Sequence, residues 1–334
     1  MFIVDNYPLA VIFCFVTMLC WGSWGNTQKM ASKSWRYELY YWDYVIGMVL
    51  FSLLSGFTLG SFGEEGRSFI PDLMQADWGN LGSVLLGGVV FNASNILLSA
   101  SVSLAGLAVA FPLGVGLALV LGVIVNYIGA PKGDPMILFI GVALIVLAII
   151  LNGVASGRQS KGEQKSSRKG IVLAALAGVI MAFFYRFVAA AMDLNNFAEP
   201  TPGMLTPYSA LFVFSVGVLL SNFVFNTWVM RHPFEGEPVA YKAYFKGSLP
   251  THLVGVLGGA IWALGTAFSY IAAGKAGAAI SYALGQGAPM IAAIWGVFIW
   301  REFKGAKGST MGLLAAMFAL FVLGLALIIL SGAN

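Results

Sequence analysis

Charged side chains are scarce in this chain of 334 residues: Asp, Glu, Lys and Arg make up 10% of it, against 59% hydrophobic residues. A soluble globular protein carries about 25% charged and about 45–50% apolar residues. So few charges cannot cover the surface of a water-soluble protein of this length, and the mean hydropathy of +0.86 agrees. The composition therefore excludes a soluble domain and predicts an integral membrane protein surrounded by the lipid bilayer.

Cysteine and histidine are also rare, with two of each. Cys14 and Cys20 fall in one apolar run, at a spacing that does not suit a disulfide within one helix. His232 lies in a polar loop, and His252 stands alone beside Pro250. We therefore expect neither a disulfide framework nor a metal site. HExxH, P-loop and Ser/His/Asp patterns are missing as well, which argues against an enzyme, an ATP-driven pump and a bound cofactor.

Ten apolar runs are long enough to cross a bilayer, which takes about 20 helical residues. The first run has no basic segment before it, so we interpret it as a retained span rather than a cleaved signal peptide. The sequence thus predicts an all-α integral membrane fold of ten transmembrane helices. They are placed near residues 8–28, 39–61, 80–100, 105–128, 135–155, 170–192, 206–228, 250–272, 277–300 and 309–331.

The lysines and arginines predict the orientation of these spans. The side that holds both termini carries three of them, Arg67, Lys132 and Lys275, whereas the other side carries fourteen. The basic side is expected to be cytoplasmic, so both termini would lie on the outer, periplasmic side of an inner membrane. The net charge of +4 is then a topology signal and predicts no nucleic-acid partner.

A polar, basic segment, 157–169, divides the chain near its middle. We interpret it as a cytoplasmic linker between two halves of five helices each, 1–156 and 170–334. Because five is odd, related halves would have opposite orientations in the membrane. Such inverted repeats are common in secondary transporters.

Internal similarity supports the two halves. GGVVFNASNILLSASVSLAGLAVAFPLGVG (87–116) and GGAIWALGTAFSYIAAGKAGAAISYALGQG (258–287) share five glycines without a gap, each pair 171 residues apart, including Gly106 and Gly277. The alternative is that small residues recur wherever membrane helices pack closely.

Polar and aromatic residues at helical spacing mark one face of the third span and one face of the eighth. In inverted repeats the binding site lies near the middle of the membrane, where the halves meet. Amides donate and accept hydrogen bonds, and an indole adds a flat apolar surface with one N–H. These faces therefore suit a neutral, hydrogen-bonding solute, although buried polar groups could equally join neighbouring helices. The residues are Asn92, Asn95, Ser99, Trp262, Thr266 and Tyr270.

Three further residues are candidates for substrate contact. Trp24 and Asn26 lie in the glycine-containing stretch WGSWGNTQKM, and Gln286 stands where the first copy of the repeat has Val115. Glycine and proline in FPLGVG and YALGQGAP are predicted to loosen the fourth and ninth spans, which is tolerated where protein or water receives the backbone. Alternatively, Trp24 anchors the span at the membrane interface, and Gln286 makes a hydrogen bond that only holds neighbouring helices together.

Two charged residues fall inside predicted spans. The Arg186 guanidinium keeps its charge, so it would either snorkel to the outer surface or line the cavity, paired with substrate oxygens or with a carboxylate such as Asp193. Asp43 is a candidate for proton coupling. It could equally cap a helix or pair with Lys29 or Lys33.

The chain resembles the drug/metabolite transporter superfamily in its ten spans, basic central linker and paired glycine segments. Within it, WGSWGNTQK, YYWDYVIG and GQGAPMIAAIWGVFIWREF look like the branch of glucose/ribose porters, rhamnose–proton symporters and plant ureide permeases. The resemblance covers nearly the whole chain, and Arg186 matches no motif in it. It implies inward movement of sugars in some members and of allantoin or nucleobases in others.

The sequence thus predicts a secondary transporter that takes up a small uncharged polar metabolite by alternating access. A pentose or hexose is the first choice and a ureide or nucleobase the second, while proton coupling and the oligomeric state stay open. An efflux permease for amphipathic compounds would have a pocket dominated by Phe and Met. A membrane scaffold or receptor that does not transport would have no continuous cavity.

Overall fold

The computed structural model describes residues 1–31, 35–105, 107–159, 168–234 and 236–333. These residues form helices and connecting loops, with an isolated β-bridge between Met192 and Leu205. The helices are α1 (Tyr7–Ser23), α2 (Gly25–Ala31), α3 (Tyr37–Phe57), α4 (Phe69–Gln75), α5 (Trp78–Ala105), α6 (Leu107–Gly129), α7 (Pro135–Gln159), α8 (Arg168–Ala189), α9 (Pro207–Arg231), α10 (Tyr241–Tyr244), α11 (Leu249–Ala276), α12 (Ala278–Gly285), α13 (Ala288–Ile294) and α14 (Gly308–Ser331).

Nine helical segments of the described residues are long and apolar enough to cross a membrane. Two of them join neighbouring helices: Tyr7–Ala31 combines α1 with α2, and Ala278–Ile299 combines α12, α13 and a π-helical turn. The predicted fourth span corresponds to α6. Its apolar part, Leu113–Gly129, is shorter than the nine segments above. The chain is therefore an all-helical, multi-pass membrane protein, as the composition predicted.

Local sequence signals start several of the helices. The Asn6 side chain accepts a hydrogen bond from Leu9 N at 2.9 Å and so caps α1, and Pro8 occupies the first turn. Ser248 caps α11 in the same manner, with Pro250 in its first turn. A side-chain acceptor satisfies one of the backbone N–H groups that a helix start leaves free, and proline there loses no intrahelical bond.

The ninth predicted span is interrupted, as the glycines of YALGQGAP predicted. Helix α12 ends at Gly285, Gln286 and Gly287 connect it to α13, and Trp295–Ile299 follows as a π-helical turn. The matching prediction for FPLGVG is wrong, because α6 runs unbroken from Leu107 to Gly129. In YALGQGAP, by contrast, Pro289 follows the glycines and lies in the first turn of α13, where proline loses no intrahelical bond, so a new helix starts there.

The large apolar side chains on the outside of the bundle are those that lipid would cover. Leu220, Phe223 and Val224 on α9 are all more than half exposed. Tyr41 and Tyr185, by contrast, are fully buried between the helices. This inverse pattern is expected where the surrounding solvent is apolar and only the interior holds polar groups.

Helices α5 and α8 run antiparallel along their full length, which defines the two ends of the bundle. Ser101 Oγ donates to the carbonyl oxygen of Gly170 at 2.8 Å, near the start of α8. Ser83 Oγ donates to that of Phe187 at 2.7 Å, near the end of α8. We call the end where α5, α7 and α9 finish the cavity end, and the end where α8 finishes the far end.

Glycines let α5 cross α9 at very short range. A methyl group on Gly88 would collide with the carbonyl oxygen of Phe214, and one on Gly217 would collide with that of Leu85. The two backbones therefore touch directly at this crossing.

A second glycine crossing joins α11 to α3. A methyl group on Gly259 would collide with the carbonyl oxygen of Tyr44, and one on Gly47 would collide with that of Val256. Small residues at such positions allow the close packing that stabilises helix pairs in membranes.

Candidate functional site

A cavity of about 770 Å³ opens between the helices at the cavity end. Its walls come from α2 and α3, from the last turns of α5 and α7, and from α13, so both halves of the chain contribute. The polar and aromatic side chains of its lining include Trp24, Gln28, Tyr37, Asn95, Ser99 and Asn152. A cavity of this size holds a small metabolite.

One wall is a hydrogen-bonded group on α3 and α5. Asn95 Nδ2 donates to the Tyr41 hydroxyl at 3.1 Å. Ser99 Oγ lies 2.9 Å from the Tyr37 hydroxyl and 2.9 Å from the Asn95 carbonyl oxygen. Among the described residues, Asn95 Oδ1 has no donor, so this oxygen can accept a hydrogen bond from a solute.

Two more amides line the cavity from other helices. Gln28 lies on α2 and Asn152 on α7, and both are partly exposed. Neither side chain has a hydrogen-bond partner in the described part of the chain. An amide offers two donor hydrogens and an acceptor oxygen, so each can bind a solute through both kinds of group.

The charges that line the cavity are paired with one another or with a neighbour. Arg36 binds Glu38 through two nitrogens, at 2.6 and 3.2 Å, and Glu302 forms an ion pair with Lys29 at 2.5 Å. Among the described lining residues, every charged side chain is thus in an ion pair. An arrangement of this kind suits an uncharged solute, because a charged one would have to compete with an existing partner.

Four aromatic rings close the inner end of the cavity. Trp21 and Phe91 lie three and four residues before the lining residues Trp24 and Asn95, so they sit one helical turn deeper. Trp262 lies between them, 4.5 Å from the Phe91 ring and 5.9 Å from the Trp21 ring. The fourth ring, Phe214, stacks on Trp262 at 5.8 Å. We call Trp21, Phe91, Phe214 and Trp262 the aromatic layer.

Beyond the aromatic layer the bundle is closed by hydroxyl groups. The Tyr185 and Ser269 hydroxyl oxygens are 2.9 Å apart, and Ser269 Oγ lies 2.9 Å from Ser281 Oγ. The Tyr282 hydroxyl donates to the carbonyl oxygen of Ala118 at 3.1 Å and so joins α12 to α6. Among the described residues, the cavity thus opens at the cavity end, and packed aromatic and hydroxyl side chains lie between it and the far end.

Of the residues that the sequence marked as candidates, Trp24, Asn95 and Ser99 line the cavity. Asn26 does not: it donates to the carbonyl oxygen of Ser23 and accepts from Trp300 Nε1 at 2.7 Å. It joins α2 to the residues that follow α13.

Asn92 is fully buried and lies outside the cavity lining. It accepts from the Tyr41 hydroxyl at 2.9 Å and donates to Ser221 Oγ at 3.0 Å. Its geometry is that of a contact between α5, α3 and α9, the alternative that the sequence left open.

The candidates on α11 and α12 lie deeper than the cavity. Trp262 belongs to the aromatic layer, and Thr266 accepts from Trp21 Nε1 at 3.1 Å. Tyr270 is fully buried, and its hydroxyl has no hydrogen-bond partner in the described residues. Gln286 stands at the break between α12 and α13. Arg186 lies in the last turn of α8, at the far end.

Asp43 is buried beside the cavity end, with 1% of its side chain exposed. It accepts from Trp35 Nε1 at 3.1 Å and from the Tyr244 hydroxyl at 2.6 Å, and it shares a hydrogen bond of 2.7 Å with His252 Nδ1. Burial and the neighbouring Asp43 carboxylate raise the pKa of the Tyr244 hydroxyl, which therefore keeps its proton and donates it. Of the two lysines proposed from the sequence, Lys29 pairs with Glu302, and residue 33 lies outside the described residues.

Sequence reasoning missed several residues of this site. His252 is 209 residues from Asp43, and no local pattern connects them. Asn152 carried a usable signal, since it is an isolated amide near the end of an apolar run. Gln28 lies in the stretch WGSWGNTQKM that the sequence singled out but was not chosen there, and Tyr37 falls just before a predicted span. No group of three or more His, Cys, Asp or Glu side chains suited to a metal ion occurs in the described part of the chain.

The model of the ureide permease family matches residues 40–169 and 155–331. The chain belongs to the ureide permease family. This confirms the resemblance that the sequence motifs indicated. This member of the ureide permease family is accordingly a membrane transport protein that acts on small solutes.

Curated relatives agree with this assignment. Ureide permeases 1 and 2 of Arabidopsis thaliana are 21% and 23% identical to this family member, with all of both chains aligned. The probable glucose uptake protein GlcU of Priestia megaterium is 25% identical over 68% of this chain and 72% of that protein. A protein crystal structure, 17% identical, covers 97% of this chain and 96% of that one with a TM-score of 0.58, so the two share a fold.

Proposed function

We propose that this chain is a secondary transporter that binds a small uncharged polar metabolite in the cavity and moves it by alternating access. The lining of the cavity carries this proposal, because its amides have free hydrogen-bonding groups while its charges are already paired. Phe234 and Phe303 are the phenylalanines of the described lining, and it contains no methionine. This composition does not favour an efflux permease for amphipathic compounds, and a scaffold would need no such cavity.

A ureide or nucleobase is our first choice of substrate. The relatives that align over their full length are ureide permeases. A ureide ring carries alternating N–H and C=O groups, which the free Asn95 Oδ1 and the amides of Asn152 and Gln28 can complement. Its flat ring also matches the face of Trp24. A sugar, which ranked first from the sequence alone, is the second choice and is supported by the similarity to GlcU.

We further propose ten spans in two inverted halves, 1–156 and 170–334, joined by the linker 157–169, of which 160–167 lie outside the described residues. Helix bounds support this arrangement. Trp78 and Leu249 begin α5 and α11, and these two residues are 171 residues apart. Of the five glycine pairs seen in the sequence, the one that includes residue 106 lies outside the described residues.

The two glycine crossings support the repeat independently. Gly88 with Leu85 on α5 corresponds to Gly259 with Val256 on α11, again at a separation of 171. The partner helices follow the same rule within one residue, since Gly47 on α3 takes the role that Gly217 has on α9. Two crossings that use the same positions in each half are expected if both halves share one packing plan.

Alternating access follows from this plan. Phe91 and Trp262, the matched residues of α5 and α11, touch at the centre of the aromatic layer. In this structure, hydroxyl contacts close the far end, and the cavity end is open. If the halves exchange these arrangements, the opening moves to the opposite side of the aromatic layer.

The distribution of lysine and arginine makes the cavity end cytoplasmic in this proposal, with both termini on the outer side. The buried Asp43–His252 pair near that end is our candidate for proton coupling, since intramembrane carboxylates and histidines commonly relay protons in transporters.

Uptake into proteoliposomes tests the proposal. Labelled allantoin, uracil, ribose, glucose and rhamnose would be offered separately, with and without an inward proton gradient. We expect saturable uptake of allantoin or uracil, competed by the unlabelled compound and increased by the gradient. Uptake of a sugar alone would select the second choice. Failure of all five to enter, with a correctly folded protein, would overturn the proposal for this substrate class.

A further inference from the structure

Arg186 belongs to the lipid-facing side of α8. The exposed apolar residues Leu176, Val179 and Phe183 are followed by Arg186 at helical spacing, three or four residues at each step, and Ala190 continues the same stripe. Residues with this spacing share one face of a helix. The arginine therefore projects from the surface that contacts lipid, and it lies away from the cavity at the other end of the bundle.

The guanidinium of Arg186 lies against the backbone of α6. A methyl group on Gly129, the last residue of α6, would collide with the guanidinium carbon and nitrogens. Gly129 is itself exposed, and its neighbour Ile128 is 76% exposed. The two helices thus form a shallow, open notch that holds the guanidinium at the edge of the lipid-facing surface.

No described residue of the protein neutralises Arg186. It makes no ion pair or hydrogen bond from its side chain within the described part of the chain. The nearest carboxylate along the chain, Asp193, is engaged elsewhere: it accepts from Thr201 N, Thr201 Oγ1 and Asn195 N. An anionic partner stabilises a guanidinium that is always charged and partly withdrawn from water.

The depth of the notch indicates which anion is available. Arg186 lies in the last turn of α8, and α8 ends at Ala189, so the guanidinium is within one turn of the membrane boundary. Phospholipid headgroups lie at this level, and their phosphates match the planar fork of an arginine. A cation is also favoured near the carboxyl end of a helix.

We propose that the notch formed by Arg186 and Gly129 binds the phosphate of a phospholipid in the leaflet at the far end. The Arg186 guanidinium donates to the phosphate oxygens, the exposed rim of Phe183 and Ile128 contacts the acyl chains, and Gly129 leaves room for the guanidinium. The site is separate from the substrate cavity and does not depend on the identity of the substrate.

Native mass spectrometry of the purified full chain, titrated with phosphatidylglycerol, tests this site. For Arg186→Gln we expect phosphatidylglycerol binding at this site to be about tenfold weaker, the change typical of losing one charge-assisted hydrogen bond. Gly129→Ala leaves every charge in place and should weaken binding similarly, because its methyl group displaces the guanidinium. Lys275→Gln, which removes an exposed cation at the same end of the bundle, is the matched control and should bind like the wild type.

Two further measurements distinguish a lipid phosphate from free inorganic phosphate. A galactosyl diacylglycerol, which has acyl chains but no phosphate, should not occupy the site, and inorganic phosphate should not raise the thermal unfolding temperature. Equal stabilisation by inorganic phosphate would overturn the assignment to a lipid. Unchanged phosphatidylglycerol binding by both Arg186→Gln and Gly129→Ala would show that the arginine only reaches toward the surface and binds no lipid phosphate.

Discussion

Asp43 on α3 and His252 on α11 share a buried hydrogen bond of 2.7 Å, and this bond ties together two helices that are far apart in the sequence. Trp35 and Tyr244 donate to the same carboxylate. The carboxylate thus holds three neighbours from separate parts of the chain. A change in its charge would therefore disturb the contact between α3 and α11.

Asp43→Asn is expected to lower the free energy of unfolding by about 1–3 kcal/mol, because one oxygen becomes an amide that faces donors instead of accepting from them. If the proposed proton coupling is right, the same variant also loses the stimulation of uptake by a proton gradient. Thermal unfolding and uptake at several pH values measure the two effects. Glu64→Gln, the same chemical change at an exposed loop residue, should alter neither. An Asp43→Asn protein with wild-type stability and gradient dependence would contradict both parts.

Asn95 and Asn92 lie one helical turn apart on α5, and we expect the first to bind the solute and the second to hold helices together. Asn95→Ala removes a free acceptor from the cavity wall, so uptake should fall at least about tenfold, the size expected for a lost hydrogen bond in a polar site, with little change in the unfolding temperature. Asn92→Ala instead removes the acceptor of the buried Tyr41 hydroxyl and a donor to Ser221 Oγ, and should cost about 1–3 kcal/mol of stability. Uptake kinetics and thermal unfolding of both variants check this. Equal loss of uptake without loss of stability in Asn92→Ala would place Asn92 in the binding site.

The membrane fold was predictable from sequence because hydropathy and span length are properties of consecutive residues. The break in the ninth span was predictable for the same reason, since Gly285, Gly287 and Pro289 are close together in the chain. The wrong prediction for the fourth span came from treating the two glycine–proline segments as equivalent. The two segments differ in order: Pro112 precedes the glycines of FPLGVG, whereas Pro289 follows those of YALGQGAP and lies in the first turn of α13.

The site was only partly predictable because it depends on depth and on distant contacts. Helical spacing placed Asn92, Asn95 and Ser99 on one face correctly, yet only the last two reach the cavity. Spacing gives the direction of a side chain around its helix, but it does not give the level at which the cavity ends. The partnership of Asp43 with His252 joins residues that no local pattern relates.

The aromatic layer should act as the barrier between the two sides of the membrane. Trp262→Ala removes the ring that contacts both Phe91 and Trp21, and a buried tryptophan replaced by alanine costs about 3–5 kcal/mol. We expect uptake to be abolished and small solutes to leak through the reconstituted protein. Trp262→Phe keeps a stacking ring and should restore much of the barrier. Dye-release measurements on both variants, beside uptake, check the expectation. Tight vesicles with Trp262→Ala would show that other residues form the barrier.

The glycine crossing between α5 and α9 offers a test of the packing plan. Gly88→Ala forces a methyl group against the carbonyl oxygen of Phe214 and should lower stability by about 1–3 kcal/mol, the usual cost of overpacking. Gly259→Ala makes the matched change at the crossing of α11 with α3 and should cost a similar amount if the halves share one design. Gly82→Ala, on the same helix α5 but facing open space, should be neutral or slightly stabilising, because alanine favours the helix. Thermal unfolding of the three variants in one detergent measures these effects. A lower unfolding temperature for Gly88→Ala with no change for Gly259→Ala would show that the two crossings contribute differently to stability.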